Sequence, residues 1–240
     1  MSLYVGTSGW AYKAWKPDFY PAALPESKFL EHYARTLGAC EINATFYRSQ
    51  SPKTFARWRD AAPDGFRYAI KVHRAITHAK VLAPDKEKRG FIDAFAESVS
   101  ILGPRLGAFL LDFPAHRKRD DYALDALLSA LPERVARAFE LRHPSWNSQE
   151  VMQKIAAANG TVCVSERDGA VPNHLPEGPI AYVRLRHGAY SGTARAGWKE
   201  LLASEAASRD VYIFAKHEGS AASDPYGGVG LASWLHGSAG

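Results

Sequence analysis

The sequence has 240 residues, with 46% hydrophobic and 23% charged side chains, 19 glycines and 14 prolines, a globular composition that excludes collagen-like, low-complexity and largely disordered chains. A chain of this length buries roughly 70% of the surface its unfolded form exposes, so a full core rather than a disulfide framework must hold it, the only cysteines being Cys40 and Cys163. With 30 Lys and Arg against 25 Asp and Glu the net charge is +5, which favours anionic partners but is too mild to mark a nucleic-acid binder.

In chain order, short β-rich runs at residues 3–7, 39–43, 67–72, 107–112, 137–141, 161–165, 180–186 and 211–214 are predicted as strands. Apolar residues at helical spacing predict helices at 26–37, 52–61, 86–102, 120–131, 148–158 and 197–208 between them. Ser51-Pro52 and Pro25-Glu26 place proline and acid where helices begin. Residues 168–179 hold three prolines and two glycines, so the crossover after the sixth strand is expected as a loop with its helix reduced or missing.

Strands alternating with helices imply a parallel sheet, and eight units of about 30 residues each fit a closed α/β (β/α)8 barrel of TIM type. An open doubly wound sheet would carry a glycine-rich fingerprint at its first turn, and Gly6-Thr-Ser-Gly9 lacks that spacing. No composition break divides the chain, so residues 1–240 are expected as one barrel domain. No apolar run approaches the ~18 residues of a membrane span and no leader pattern opens the chain. Two cysteines in apolar surroundings suit a reducing compartment, so a cytoplasmic location with no membrane partner is expected.

In such a barrel the carboxyl ends of the strands carry the site. Polar residues occupy nearly all of these ends: Ser8 and Trp10, Glu41 and Asn43, Lys71, Asp112, Glu140 with Arg142 and His143, Glu166, Arg184 with His187, and Lys216 with His217. Period-two alternation puts Glu41 with Asn43, and Glu140 with Arg142, on one strand face. A carboxylate in an apolar strand costs several kcal/mol of solvation unless it is compensated. Carboxylates Glu41, Glu140, Asp112 and Glu166 therefore imply the partners Lys71, Arg142, Arg184 and Lys216. Mixed signs can divide acid and base roles. A self-satisfied ion-pair plug accounts equally well for any one of these residues, and the ring as a whole points to function.

The first loop is rich in rings (Trp10, Tyr12, Trp15, Phe19, Tyr20), and Tyr47 follows the second strand. Packing on the rim is the ordinary use of such rings, and stacking on a sugar or base the functional one. The run His116-Arg-Lys-Arg119 could touch phosphates, and Gly227-Gly-Val-Gly230 before an apolar turn at residues 231–235 could hold one. Glu41, Glu140, His143, Glu166, His187 and His217 are metal-ligand types, yet there is no HExxH and no CxxC spacing. A divalent metal stays open and no cofactor is required. Ser8 lies outside any G-x-S-x-G elbow.

Gly6-Thr-Ser-Gly-Trp10 with Tyr12 and Trp15, Glu41-Ile-Asn-Ala-Thr-Phe-Tyr47, Trp58, Phe66 with Lys71, Leu102-Gly-Pro104, Glu140-Leu-Arg-His-Pro-Ser-Trp146, and Tyr182-Val-Arg184 with His187-Gly188 resemble the YecE-like proteins, domain-of-unknown-function family 72. The resemblance runs from the first strand to the seventh. It implies a TIM-type barrel and brings no established reaction. Leu111-Asp-Phe-Pro114 and Ala215-Lys-His-Glu218 depart from the pattern of relatives.

The expectation is an enzyme acting on a small anionic, phosphorylated or carboxylated, sugar-like substrate, with hydrolysis, isomerisation and lyase chemistry all open. Glu41 and Glu140 are the acid and base candidates, with Lys71 and His143 beside them as catalytic candidates. Ser8, Trp10, Asn43, Tyr47, Arg142, Arg184, His187 and Lys216 are the substrate-binding candidates. A nucleic-acid-binding protein or a metal-dependent nuclease-like barrel is the alternative. Oligomeric state is not legible.

Overall fold

The computed structural model describes residues 1–237. Nine parallel strands form its sheet: β1 (Leu3–Thr7), β2 (Ala39–Ile42), β3 (Arg67–Lys71), β4 (Leu106–Phe113), β5 (Ala136–Leu141), β6 (Gly160–Val162), β7 (Val164–Glu166), β8 (Ile180–Leu185) and β9 (Asp210–Ala215). Their spatial order is β6-β5-β4-β3-β2-β1-β9-β8-β7. The two ends of that order, β6 and β7, are one predicted strand interrupted at Cys163. β6 pairs with β5 and β7 with β8, so the ring closes through a single chain segment. The architecture is thus the expected α/β barrel, with its sixth strand broken in two.

The helices are α1 (Phe29–Thr36), α2 (Ala44–Tyr47), α3 (Pro52–Ala61), α4 (Arg74–Thr77), α5 (Lys86–Ser100), α6 (Asp121–Ala130), α7 (Gln149–Ala157), α8 (Gly192–Ala206) and α9 (Gly228–Gly237). Local chemistry fixes their starts. The side chains of Ser51, Asp85, Asp120, Ser148 and Ser191 each accept a backbone N–H in the first turn of α3, α5, α6, α7 and α8, satisfying a donor that the helix itself cannot. Ser191 explains why α8 starts five residues before the apolar pattern does. The proline-rich stretch between β7 and β8 carries no helix, as its composition predicts. Among the described residues no helix is long and apolar enough to cross a membrane.

Period-two alternation sorts the strand residues into two cores. Val5, Ile42, Ile70, Phe109, Phe139, Val183 and Ile213 face outward against the helices. Ala39, Ala69, Ala108 and Ala138 from β2 to β5 face inward, opposite Tyr4, Tyr182, Tyr212 and Phe214 from β1, β8 and β9. Small residues on one wall make room for rings from the other, which fills a small barrel without a pore. Tyr4 stacks on Tyr212 at 4.9 Å. A Cβ at Gly107 would lie 2.7 Å from the Tyr212 ring, so the ring's position demands glycine there. Above this apolar layer the inward positions turn polar, and the next residues along the same faces are Glu41, Lys71, Asp112, Glu140 and Arg184.

Candidate functional site at the barrel mouth

Glu41 is 0% exposed. Its Oε1 accepts from Ser8 Oγ (2.9 Å), Arg184 Nη2 (2.8 Å), Arg186 Nη2 (3.2 Å) and, more weakly, Asn43 Nδ2 (3.4 Å), while Oε2 accepts from the Tyr182 hydroxyl (2.9 Å). Burial by itself would raise its pKa. The charges of Arg184 and Arg186, with the hydrogen bonds from Arg184 and Tyr182, outweigh that and bring it down to about 2. Arg184 in turn bridges to Glu140, its Nη1 donating to Oε2. The second oxygen of Glu140 is held loosely, by Arg142 Nε at 3.3 Å and Arg167 Nη2 at 3.7 Å. Burial again works upward on Glu140, yet Arg184 and Arg142 leave its pKa below the ordinary value. Arg184 answers in kind: burial would strip its proton, and Glu41 and Glu140 hold it well above its usual value.

Beside this chain lies a second group. Asp112 Oδ2 accepts from Lys71 Nζ (2.7 Å) and Arg142 Nη2 (2.9 Å), and its buried Oδ1 has no hydrogen-bond partner. The Lys71 ammonium also sits 4.2 Å from the Phe46 ring centroid. Arg142 thus links Asp112 to Glu140, so Lys71, Asp112, Arg142, Glu140, Arg184 and Glu41 form one continuous ionic layer supplied by β2, β3, β4, β5 and β8.

Several expected residues lie elsewhere. His143 is the N-cap of a short 3-10 turn, where Nδ1 accepts the Ser145 N–H at 3.1 Å. His187 Nδ1 lies 3.1 Å from the Arg167 carbonyl and fastens that loop. Trp10 turns outward and meets Trp58 edge-on at 5.5 Å. Tyr47 is exposed. Glu166 points away from the barrel axis, where its carboxylate accepts the Ala170 N–H at 3.1 Å and bonds to Asp168 and Tyr190. Lys216 stands beside His217 rather than on a carboxylate, and its charge acts on that imidazole. The reason is common to most of them: alternation holds within a strand, and once the chain leaves the ladder its side chains follow the loop.

Held ionised by Arg184 and Arg186, Glu41 has no proton to donate near pH 7, so the acid half of its expected role does not fit this arrangement. The rings of the first loop follow their ordinary use, with Trp15 and Tyr20 buried against α1. The basic run is a clip between loops. Arg117 donates to the Ala79 and Lys80 carbonyls, and Arg119 pairs with Asp121 and Glu150. Glycines at 227–230 answer close packing: a Cβ at Gly227 would lie 2.2 Å from Ser220 Oγ and 2.3 Å from the Gly188 carbonyl. Among the described residues no three His, Cys, Asp or Glu side chains gather as a metal site. The mouth carboxylates are ligated by guanidinium and ammonium groups instead, so the donor set does not fit a divalent ion.

Three mouth residues, Arg167, Arg186 and Tyr182, were not among the candidates. Arg167 lies in a loop that no strand pattern reaches, whereas Arg186 closes the expected strand 180–186 as the period-two successor of Arg184, so the alternation places it at the mouth. Tyr182, the predecessor, reads as core in the sequence because its hydroxyl is the only polar part. A groove of about 840 Å³ lies outside the barrel between α1 and α3. It holds none of these buried charges, and size alone does not make it the site.

The profile of the family described as "Protein of unknown function DUF72" matches residues 4–227. The UPF0759 protein YecE of Escherichia coli K12 is 30% identical over 145 residues, 60% of this chain and 50% of that protein, so the match spans about half the length of that relative. A solved DUF72 family protein from Thermotoga maritima superposes with a TM-score of 0.75 at 22% identity, over 98% of this chain and 97% of that one. D-psicose 3-epimerase from Clostridium cellulolyticum, solved with D-tagatose, superposes at 0.54 and 14% identity, over 93% and 89%. At those identities the solved structures speak for the barrel alone.

Proposed function

The chain belongs to the DUF72 family, and from the layering of charge at its barrel mouth we propose that it is an enzyme acting on a small anionic, sugar-like compound. The observation that carries this reading is vertical. Carboxylates Glu41, Asp112 and Glu140 lie at the bottom with side chains no more than 3% exposed, whereas Arg142 and Arg167 stand outermost at 36% and 58%. Five cations (Lys71, Arg142, Arg167, Arg184, Arg186) against three carboxylates leave a surplus of two positive charges, facing outward. An entering anion meets guanidinium first. The fixed layer beneath keeps those donors oriented without reorganisation.

Arg142 and Arg167 bind the anion in this reading. Glu140 is the general base, because it is ionised and its Oε1 is held only by the two arginines that an anion would engage. Neither glutamate donates a proton at neutral pH. That role falls to the Lys71 ammonium, which also stabilises negative charge developing on a substrate oxygen. Glu41 fixes Arg184 and Arg186, and Asn43, whose Nδ2 donates to Glu41, steadies that carboxylate beside the guest. The epimerase that shares the barrel was solved with a neutral sugar; the proposed guest differs in carrying an anionic group. The His116 to Arg119 run gives a nucleic-acid reading less support, since Arg117 and Arg119 are bound internally.

Calorimetric titration with inorganic phosphate and a panel of phosphorylated and carboxylated sugars tests this. Arg142→Ala should weaken binding about tenfold or more, the loss of a charged hydrogen bond. Glu140→Gln should leave binding within a few-fold and cut turnover by about 10²- to 10⁴-fold. Absence of anion binding by the native protein, or full turnover in Glu140→Gln, refutes the assignment.

A further inference from the structure

A second opening lies beside the mouth. It is a cleft of about 440 Å³ whose walls come from the segment after α4, residues 78–82, and from the loop between β4 and α6, residues 116–120. Two arginines hold these walls in place. Arg117 donates from one wall to the Ala79 and Lys80 carbonyls of the other, and its own carbonyl accepts from the indole of buried Trp146 at 2.7 Å. Arg119 is pinned by Asp121 and Glu150, and its backbone N–H donates to Ser145 Oγ at 2.8 Å. Other cations of the cleft are left unspent. Lys80, His116 and Lys118 are exposed on it, and among the described residues no carboxylate pairs with either lysine. The one carboxylate on the walls, Asp120, is engaged in capping α6, where it accepts the Ala123 N–H at 2.9 Å. Like charges gathered in this way repel one another, and an anion entering among them relieves that repulsion.

The cleft and the mouth share a wall. His78 lines the cleft, and its ring meets Phe46 edge-on at 4.9 Å, the same Phe46 ring that carries the Lys71 ammonium at 4.2 Å. The charges of Asp112, Lys71 and Arg142 all act on that imidazole. On the other flank, Ser145 Oγ joins the Arg119 N–H to the ring of His143, the residue after Arg142. Two sets of outward cations therefore stand side by side, Arg142 with Arg167 at the mouth and Lys80 with Lys118 in the cleft. Beyond Arg119 the surface turns acidic at Asp121 and Glu150. An extended polyanion would meet those carboxylates, whereas a cleft of this size suits one group of a small molecule.

We propose that the cleft is a second anion subsite, and that the guest of the mouth carries two anionic groups, one held by Arg142 and Arg167 and the other by Lys80 and Lys118. This rests on the anion-binding reading above and changes its substrate class, from a compound with one anionic head to a doubly anionic one such as a sugar bisphosphate. A guest held at both ends lies across His78 with its orientation fixed.

Calorimetry on the full chain with inorganic phosphate, fructose 6-phosphate and fructose 1,6-bisphosphate tests this. The native protein should take up two phosphates and bind the bisphosphate about tenfold or more tightly than the monophosphate, the size of one charge-assisted hydrogen bond. The Lys80 and Lys118 side chains are exposed and bonded to nothing, so the double variant Lys80→Ala, Lys118→Ala does not endanger folding. It should take up one phosphate, keep the monophosphate within about twofold of native, and lose the preference for the bisphosphate. Arg142→Ala should weaken the bisphosphate too, because both ends are held. Equal affinity for the two sugar phosphates, a preference that survives in the double variant, or a single phosphate per chain that Arg142→Ala removes overturns the second subsite alone. A bisphosphate affinity untouched by Arg142→Ala overturns the spanning guest. A single-stranded oligonucleotide that displaces the bisphosphate, and loses its affinity in the double variant, assigns the cleft to nucleic acid instead. A single phosphate that only the lysine variant removes, or failure of all three probes to bind, overturns the mouth reading and this inference with it.

Discussion

Two arginines in this molecule each stand between two carboxylates, in opposite surroundings. Arg184 joins Glu41 to Glu140 with all three side chains at most 6% exposed. Arg119 joins Asp121 to Glu150 on the surface, with those carboxylates 45% and 78% exposed. Water can replace either partner of Arg119, so its pairs contribute little. Nothing can replace a partner of Arg184, so each charge there is obligatory once the others are present. Ion pairs with the same partners are thus a convenience at one place and a commitment at the other. A commitment that stability alone would not favour over apolar packing points to use.

Breaking the buried member should give the largest effect. Arg184→Leu strands Glu41 and Glu140 and should cost about 3–5 kcal/mol in urea unfolding; a loss below 1 kcal/mol would make the two arginines equivalent and remove the contrast. Acid sharpens it next. Glu41 falls from its ordinary 4.5 to about 2 in the fold. A depressed carboxylate adds stability that is complete above pH 4.5 and is lost as pH falls toward 2, on the order of 3 kcal/mol in all. Unfolding curves from pH 7 to 2 should show this limb in the native protein and a flatter one in Glu41→Gln; parallel curves would show that Glu41 is not held ionised. The smallest effect belongs to the surface. Glu150→Ala should change stability by less than about 1 kcal/mol, and that small change should shrink further in high salt.

The fold was legible because alternating strand and helix patterns survive in single residues: Pro52–Ala61 falls where the spacing places it, and most strand ends agree within a residue or two. The break at Cys163 was not, since residues 161–165 read as one β run and only the need to pair with β5 on one side and β8 on the other divides them. In the site, Glu41, Lys71, Asp112, Glu140, Arg142 and Arg184 were legible because a charge on the inward face of a buried strand must find an opposite charge. His143, His187 and Trp10 were placed too near the centre because they lie beyond the ladders, where turn geometry and not period two decides direction. Tyr182 stayed hidden among core aromatics.

The broken sixth strand has a consequence for the barrel as a piece of joinery. On either side of Cys163 the stave is joined to its neighbour by three register pairs, half the six that join β4 to β5 and β8 to β9. Glu140 belongs to the stave on one side of it and Arg184 to the stave on the other, and their bond crosses the joint like a brace. A guest drawn to Arg142 and Arg167, which hold the other oxygen of Glu140, would leave that brace in place, so filling the mouth and keeping the hoop shut draw on separate bonds.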